Sequence, residues 1–159
     1  MNIFFDMDYT LIGLTGTLRP LVKETFQQLL DDGHTLYIWS GIGERRREVR
    51  NLGLEPYVSG VHHKPIDDYE AIVQAKFERQ ELEVYPDLVI DDHTEIVSAL
   101  GGVVVRAFFA GDQHDREMER VYRVIRDYVE SGASTDPAFR PRPDNLYGNG
   151  DGGPTAQPL

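Results

Sequence analysis

Strand-like and helix-like runs alternate along this chain, and that alternation constrains the fold more than any single motif. "IFFD" (residues 3–6) is a short apolar run. A Gly/Thr-rich loop, "IGLTGTLRP", leads to a helical stretch from about Pro20 to Asp31. There Leu21, Thr25 and Leu29, with Val22, Phe26 and Leu30, repeat every four residues. Pro20 suits a first helical turn and Gly33 a cap. "TLYIWS" reads as a second strand, residues 44–52 as a helix ended by Gly53, and "PYVSGV" as a short extended piece. "IDDYEAIVQAKFERQ" puts Tyr69, Ile72, Val73 and Phe77 on one helical side. "PDLVIDD" is a further strand, "TEIVSALG" a short helix and "GVVVRAFF" another strand. Residues 114–130 form a charged helix with an inward stripe of Met118, Val121, Tyr122, Ile125 and Tyr128. Such alternation predicts an α/β fold with a parallel sheet covered on both faces.

From Gly132 the character changes. Residues 132–159 hold five Gly and five Pro in 28 positions, with few apolar side chains to offset ordering entropy. The organisation expected is a core domain over 1–131 and a flexible Pro/Gly-rich tail over 132–159. The alternative is an arm that docks on a neighbouring subunit through Phe139, Leu146 and Tyr147.

Composition narrows the function. A chain of 159 residues is long enough for one sizeable core. Its formal net charge of -11 argues against a nucleic-acid or anionic-membrane surface. No stretch approaches a membrane span. The chain has no cysteine, so thiolate metal sites and disulfides are excluded. With a start that lacks a basic region and a long apolar run, this fits a cytoplasmic protein.

The strand ends carry the chemistry. In an open parallel sheet, ligands bind beyond the carboxyl ends of the strands. Asp6 and Asp8 follow the first strand, Ser40 ends the second, Lys64 follows the third extended segment, and Asp91 and Asp92 end "DLVI". Hard oxygen donors in that number attract Mg²⁺, which would also recruit a phosphate despite the negative net charge. One carboxylate could then attack phosphorus while a second acid handles the leaving-group proton. Lys64 could balance charge, and Ser40 with the Gly41 N–H could donate to the transferring group. The chain has 3 Lys against 13 Arg, so a lysine here is not the default cation; a compact ammonium suits a point-charge role.

"DMDYT", "WSG", "HHKP" and "VIDDH", in that order, resemble the four motifs of the haloacid dehalogenase superfamily over residues 1–130. The resemblance implies a Rossmann-like, doubly wound, three-layer α/β/α fold and Mg²⁺-dependent phosphatase activity on a small-molecule phosphate ester. By motif position it implies Asp6 as nucleophile and metal ligand. Asp8 would be the general acid/base, with its carbonyl on the metal. Thr10, Ser40 and Gly41 would bind substrate, Lys64 would stabilise charge, and Asp91 with Asp92 would hold the metal. Tyr9 departs from the pattern, since Gly is common there; its side chain would narrow the site or pack on the following loop. Adjacent acids at Asp91 and Asp92 leave open which one touches metal.

The gaps between motifs leave no room for a cap domain, so only "GLTGTLR" could act as a small flap. An uncapped site takes bulky substrates or borrows a lid from another subunit, and a homo-oligomer is one arrangement this allows. His62, His63 and His93 flank the site, but no helical i, i+4 pair supports a transition metal. "ERRRE" reads first as an exposed, ion-paired helix face. The alternative is that Arg45 or Arg46 grips a second anionic group on the substrate. Two other classes compete with a phosphatase: a signalling receiver domain, and an idle phosphate- and Mg²⁺-binding regulatory domain. A receiver would need a late lysine, which residues 103–109 lack.

Overall fold

A computed structural model of the chain describes residues 1–109 and 111–147. Five strands and five helices alternate first: β1 (Asn2–Asp6), α1 (Val22–Asp31), β2 (Thr35–Ser40), α2 (Arg46–Asn51), β3 (Gly60–His63), α3 (Tyr69–Glu78), β4 (Leu88–Asp91), α4 (Thr94–Leu100), β5 (Gly102–Val104) and α5 (Glu117–Ser131). A sixth strand, β6 (Phe139–Arg140), follows. The strands form one six-stranded sheet in the order β3-β2-β1-β4-β5-β6. All pairings are parallel except β5 with β6.

Strand alternation feeds two apolar clusters. Ile3, Phe5, Leu36, Ile38, Leu88 and Ile90 pack with Phe26 and Leu29 of α1 and Met118, Val121 and Ile125 of α5. Phe4, Tyr37, Trp39 and Val89 pack with Val73 of α3 and Ile96, Val97 and Leu100 of α4. The central strands are therefore apolar on both sides, which is why they read as continuous runs.

Several expected boundaries move, each for a local reason. Leu21 takes a left-handed turn (φ 66°), so α1 starts at Val22 and Pro20 lies outside it. Asp68 does the same (φ 38°), so α3 starts at Tyr69. The last parallel strand stops at Val104 rather than Phe109: Val105 N–H still donates to the Asp91 carbonyl, but the backbone after it bonds elsewhere. Phe108 N–H donates to the Tyr9 carbonyl and Leu14 N–H to that of Phe109, both at 2.8 Å. The stripe of α5 also includes Val124, which is buried.

The expected flexible tail is corrected over residues 132–147. Phe139 pairs with Val103 and Arg140 with Gly102. The Phe139 ring lies 5.2 Å from that of Tyr128. Leu146 is buried in the second cluster, and Tyr147 stacks on Tyr85 at 4.1 Å. The three anchor side chains named for a docking arm do dock, but on their own chain. Residues 148–159 of the expected tail lie outside the described residues.

Candidate functional site

The strand order reverses direction at β1 and β4. From β1 the chain moves outward to β2 and β3; from β4 it moves the opposite way to β5. The adjacent carboxyl ends of β1 and β4 thus define the crevice where open α/β sheets bind ligands. Asp6 is the last residue of β1, Asp91 of β4 and Ser40 of β2, and Lys64 comes directly after β3.

Lys64 ties the crevice together. Its Nζ donates to Asp6 Oδ1 at 2.7 Å and to Asp91 Oδ2 at 2.8 Å. All three side chains are nearly or fully buried. Burial, and next the Asp91 charge, push the Asp6 carboxyl up to about 7. Burial pulls the Lys64 ammonium down, but Asp6 and Asp91 more than offset it and hold it above its ordinary value. Residues 58 and 27 positions from Lys64 in sequence thus share one charge.

A second knot sits beside the first. Ser40 Oγ donates to Asp8 Oδ2 at 3.1 Å and accepts from Ile42 N–H at 3.4 Å. Arg45 Nη1 donates to both Asp8 oxygens, at 2.7 and 2.9 Å. Arg45 was weighed as a grip for a second substrate anion; here it is committed to Asp8 and, at 3.4 Å, to Glu48. Arg46 is taken by Glu44 at 2.9 Å. Burial opposes the charge on Arg45, but these two acids hold it in its charged form.

The remaining expected residues divide. Gly41 lines the crevice, and a Cβ there would lie 3.2 Å from Ile66 Cγ2. Thr10 does not line it. Its side chain is fully buried, its hydroxyl finds no hydrogen-bond partner, and its carbonyl accepts from Arg19 at 3.1 Å. Thr10 therefore supports the loop from beneath, which corrects its expected role as a substrate contact. Tyr9 has φ 60°, the left-handed region that glycine enters without cost. Its side chain lines the crevice and packs 5.5 Å from the ring of Phe109, on the loop after β5 rather than on the loop that follows Tyr9 itself. The "GLTGTLR" flap is a pinned turn, with bridges Asp8–Ile12 and Ile12–Leu18, and none of its residues lines the crevice.

Asp92 stands apart from the Lys64 knot. Its Oδ1 lies 3.2 Å from His93 Nδ1, which lies equally close to Asp91 Oδ1. Burial, foremost, raises the Asp92 carboxyl above its ordinary range. Ligand atoms of Asp91, Asp92 and His93 all fall within 4.8 Å of one another, a spacing a metal ion could use. Asp6, Asp91 and Asp92 offer carboxylate oxygens, the donors a hard divalent cation prefers, and a cation already bridges the first two. The donor set fits Mg²⁺ without identifying it.

Sequence reasoning missed the buttress behind the site. Arg19 is buried and its Nε and Nη2 donate to Asp115 at 2.8 and 2.9 Å. The same guanidinium donates to the carbonyls of Thr10 and Arg106, and lies 5.2 Å from the Phe108 ring centre. It thereby joins the loop after β1 to the loop after β5. Asp115 lies 96 residues away, and no local pattern marks the pair.

The fold and crevice define an α/β protein with a carboxylate-rich site at the switch point of its sheet. No protein-family model matches the chain, and no curated protein matches it. Among solved structures, an uncharacterized protein from Listeria monocytogenes serotype 4b is similar in fold. It is 11% identical, with a TM-score of 0.58 over 82% of this chain and 99% of that one. At that identity the likeness speaks to the fold alone. Among the described residues, no helix is long and apolar enough to cross a membrane.

Proposed function

We propose that the chain is a Mg²⁺-dependent phosphomonoester hydrolase of the haloacid dehalogenase type, on a Rossmann-like α/β/α sandwich without a large cap. The observation that carries the reading is the Lys64 ammonium held between Asp6 and Asp91 at the switch-point crevice. Asp6 and Asp91, with the Asp8 carbonyl, would hold Mg²⁺, and Asp92 stands next to them. The ion supplies charge neutralisation for a phosphate dianion. Asp6 attacks phosphorus, the bond from phosphorus to the ester oxygen breaks, and Asp8 protonates the leaving oxygen. Water, deprotonated by Asp8, then cleaves the aspartyl phosphate and releases inorganic phosphate. Lys64 balances the charge on Asp6 throughout, and Ser40 turns from Asp8 to the phosphoryl oxygens. Arg45 occupies both Asp8 oxygens, so it must swing clear before Asp8 can pass a proton.

The test is phosphate release from a broad panel of phosphate monoesters at saturating Mg²⁺. Asp6→Asn should abolish turnover, and Asp8→Asn should trap or slow the phosphoenzyme. One observation favours a second reading, an idle phosphate- and Mg²⁺-binding domain: the Arg45 clasp disables Asp8 as it stands. Binding of Mg²⁺ and phosphate by calorimetry, with no release from any ester, would select that reading over hydrolysis.

A further inference from the structure

The crevice of about 300 Å³ has a polar floor and apolar walls. Asp6, Asp8 and Lys64 lie on the floor. Tyr9, Ile42, Pro65, Ile66, Tyr69 and Ile96 make most of the walls, and His93 adds one imidazole. Two of these, Ile42 and Ile66, are 77% and 70% exposed. An isolated exposed isoleucine needs no explanation, but two facing one site with two tyrosines form a lined slot. They stand on the loops after β2 and β3, beside Ser40 and Lys64.

From this lining we infer that the crevice takes a phosphomonoester whose leaving group carries a planar aromatic ring; the inference rests on the hydrolase reading above. The cations near the floor are spoken for: Lys64 by Asp6 and Asp91, Arg45 by Asp8 and Glu48, Arg46 by Glu44. Arg45 is released only when it swings clear of Asp8, so the lining that a leaving group meets first is the apolar one. A sugar phosphate would press its hydroxyls against aliphatic carbon and lose their hydration. An aromatic ring instead gives up poorly solvated surface and meets Tyr9 and Tyr69 by stacking or edge contact. A volume near 300 Å³ lies at the small end of ligand sites and suits a single ring system with its phosphate. In the reaction the ring-bearing oxygen leaves phosphorus and takes the proton from Asp8, and water supplies the oxygen that ends on phosphate.

The experiment compares kcat/KM for 2-phenylethyl phosphate and propyl phosphate with Mg²⁺ present. Both leave as primary alkoxides, so their ratio reports the slot and not leaving-group chemistry. We expect a preference of roughly tenfold for the phenylethyl ester, mostly in KM. Ile42→Asn with Ile66→Asn should bring the ratio towards one. Because both positions are exposed, circular dichroism should show the double variant folded. A phosphotyrosine peptide and phenyl phosphate, assayed side by side, separate a protein source of the ring from a small-molecule source. Equal rates on the two alkyl esters, or a ratio untouched by the double variant, would overturn the inference and leave the hydrolase reading standing. Absence of release from every ester would instead remove the hydrolase reading beneath it.

Discussion

Arg19 and Lys64 are two buried cations with opposite visibility in the sequence. Lys64 was legible, because it follows a strand, carries the less common cation of this chain and falls in order with the acids around it. Asp6, Ser40 and Asp91 were legible for the same reason: each closes an apolar run at a strand end, and parallel topology brings those ends together. Arg19 was not legible. It sits in a loop, and its Asp115 partner is 96 residues distant. Its importance follows from its burial. Arg19→Met removes both guanidinium bonds from buried Asp115, leaving it the Glu117 N–H and Arg106 at 3.9 Å, and frees the Thr10 and Arg106 carbonyls. We expect a loss of about 3–5 kcal/mol in urea unfolding. Asp115→Asn removes the carboxylate partner of the fully buried Arg19 guanidinium and should cost a comparable amount.

Among the elements, β5 and β6 depend most on one backbone position. Gly102 has φ 150°, and a Cβ there would lie 1.9 Å from the Val89 carbonyl oxygen. Gly102 also pairs with Arg140 of β6. Gly102→Ala must therefore push β5 away from β4 on one side and disturb β6 on the other. Chemical denaturation should show a loss of about 4 kcal/mol or more, at the severe end for one substitution. The helices and most parallel strands were readable from period and apolar run length; β3 was not, since the expected extended "PYVSGV" begins in the 3-10 turn Glu55–Tyr57 and the strand lies at Gly60–His63. The two-residue β6 was not, since its Phe139 and Arg140 stand among Pro, Gly and polar residues that give no strand pattern. What orders it is tertiary: a free edge on β5, the Tyr128 ring and the second apolar cluster that receives Leu146.

Over the whole molecule, acid tolerance depends on carboxylates held ionised in the folded state. Burial alone would raise Asp115, but Arg19 and the Glu117 backbone hold it below its ordinary value. Glu117 is likewise lowered despite burial, by Arg120 and the Arg106 backbone. A folded-state value below the unfolded one means the unfolded chain binds more protons. These groups therefore stabilise fully above their unfolded values, roughly pH 4, and lose that contribution as pH falls through their lower folded values. Thermal melts should fall steeply below about pH 4, and the slope should be shallower in Asp115→Asn. The strand order has a consequence for how the protein is made. β1 is made before the other strands of its sheet yet lies between β2 and β4, so it must wait for residues 88–91 before its second edge is covered. Asp6 is synthesised 85 residues before Asp91, and the bridging lysine emerges between them. A half-made chain therefore presents an unpaired apolar strand and an incomplete acid cluster to its surroundings, a state in which chaperone capture competes with closure of the sheet.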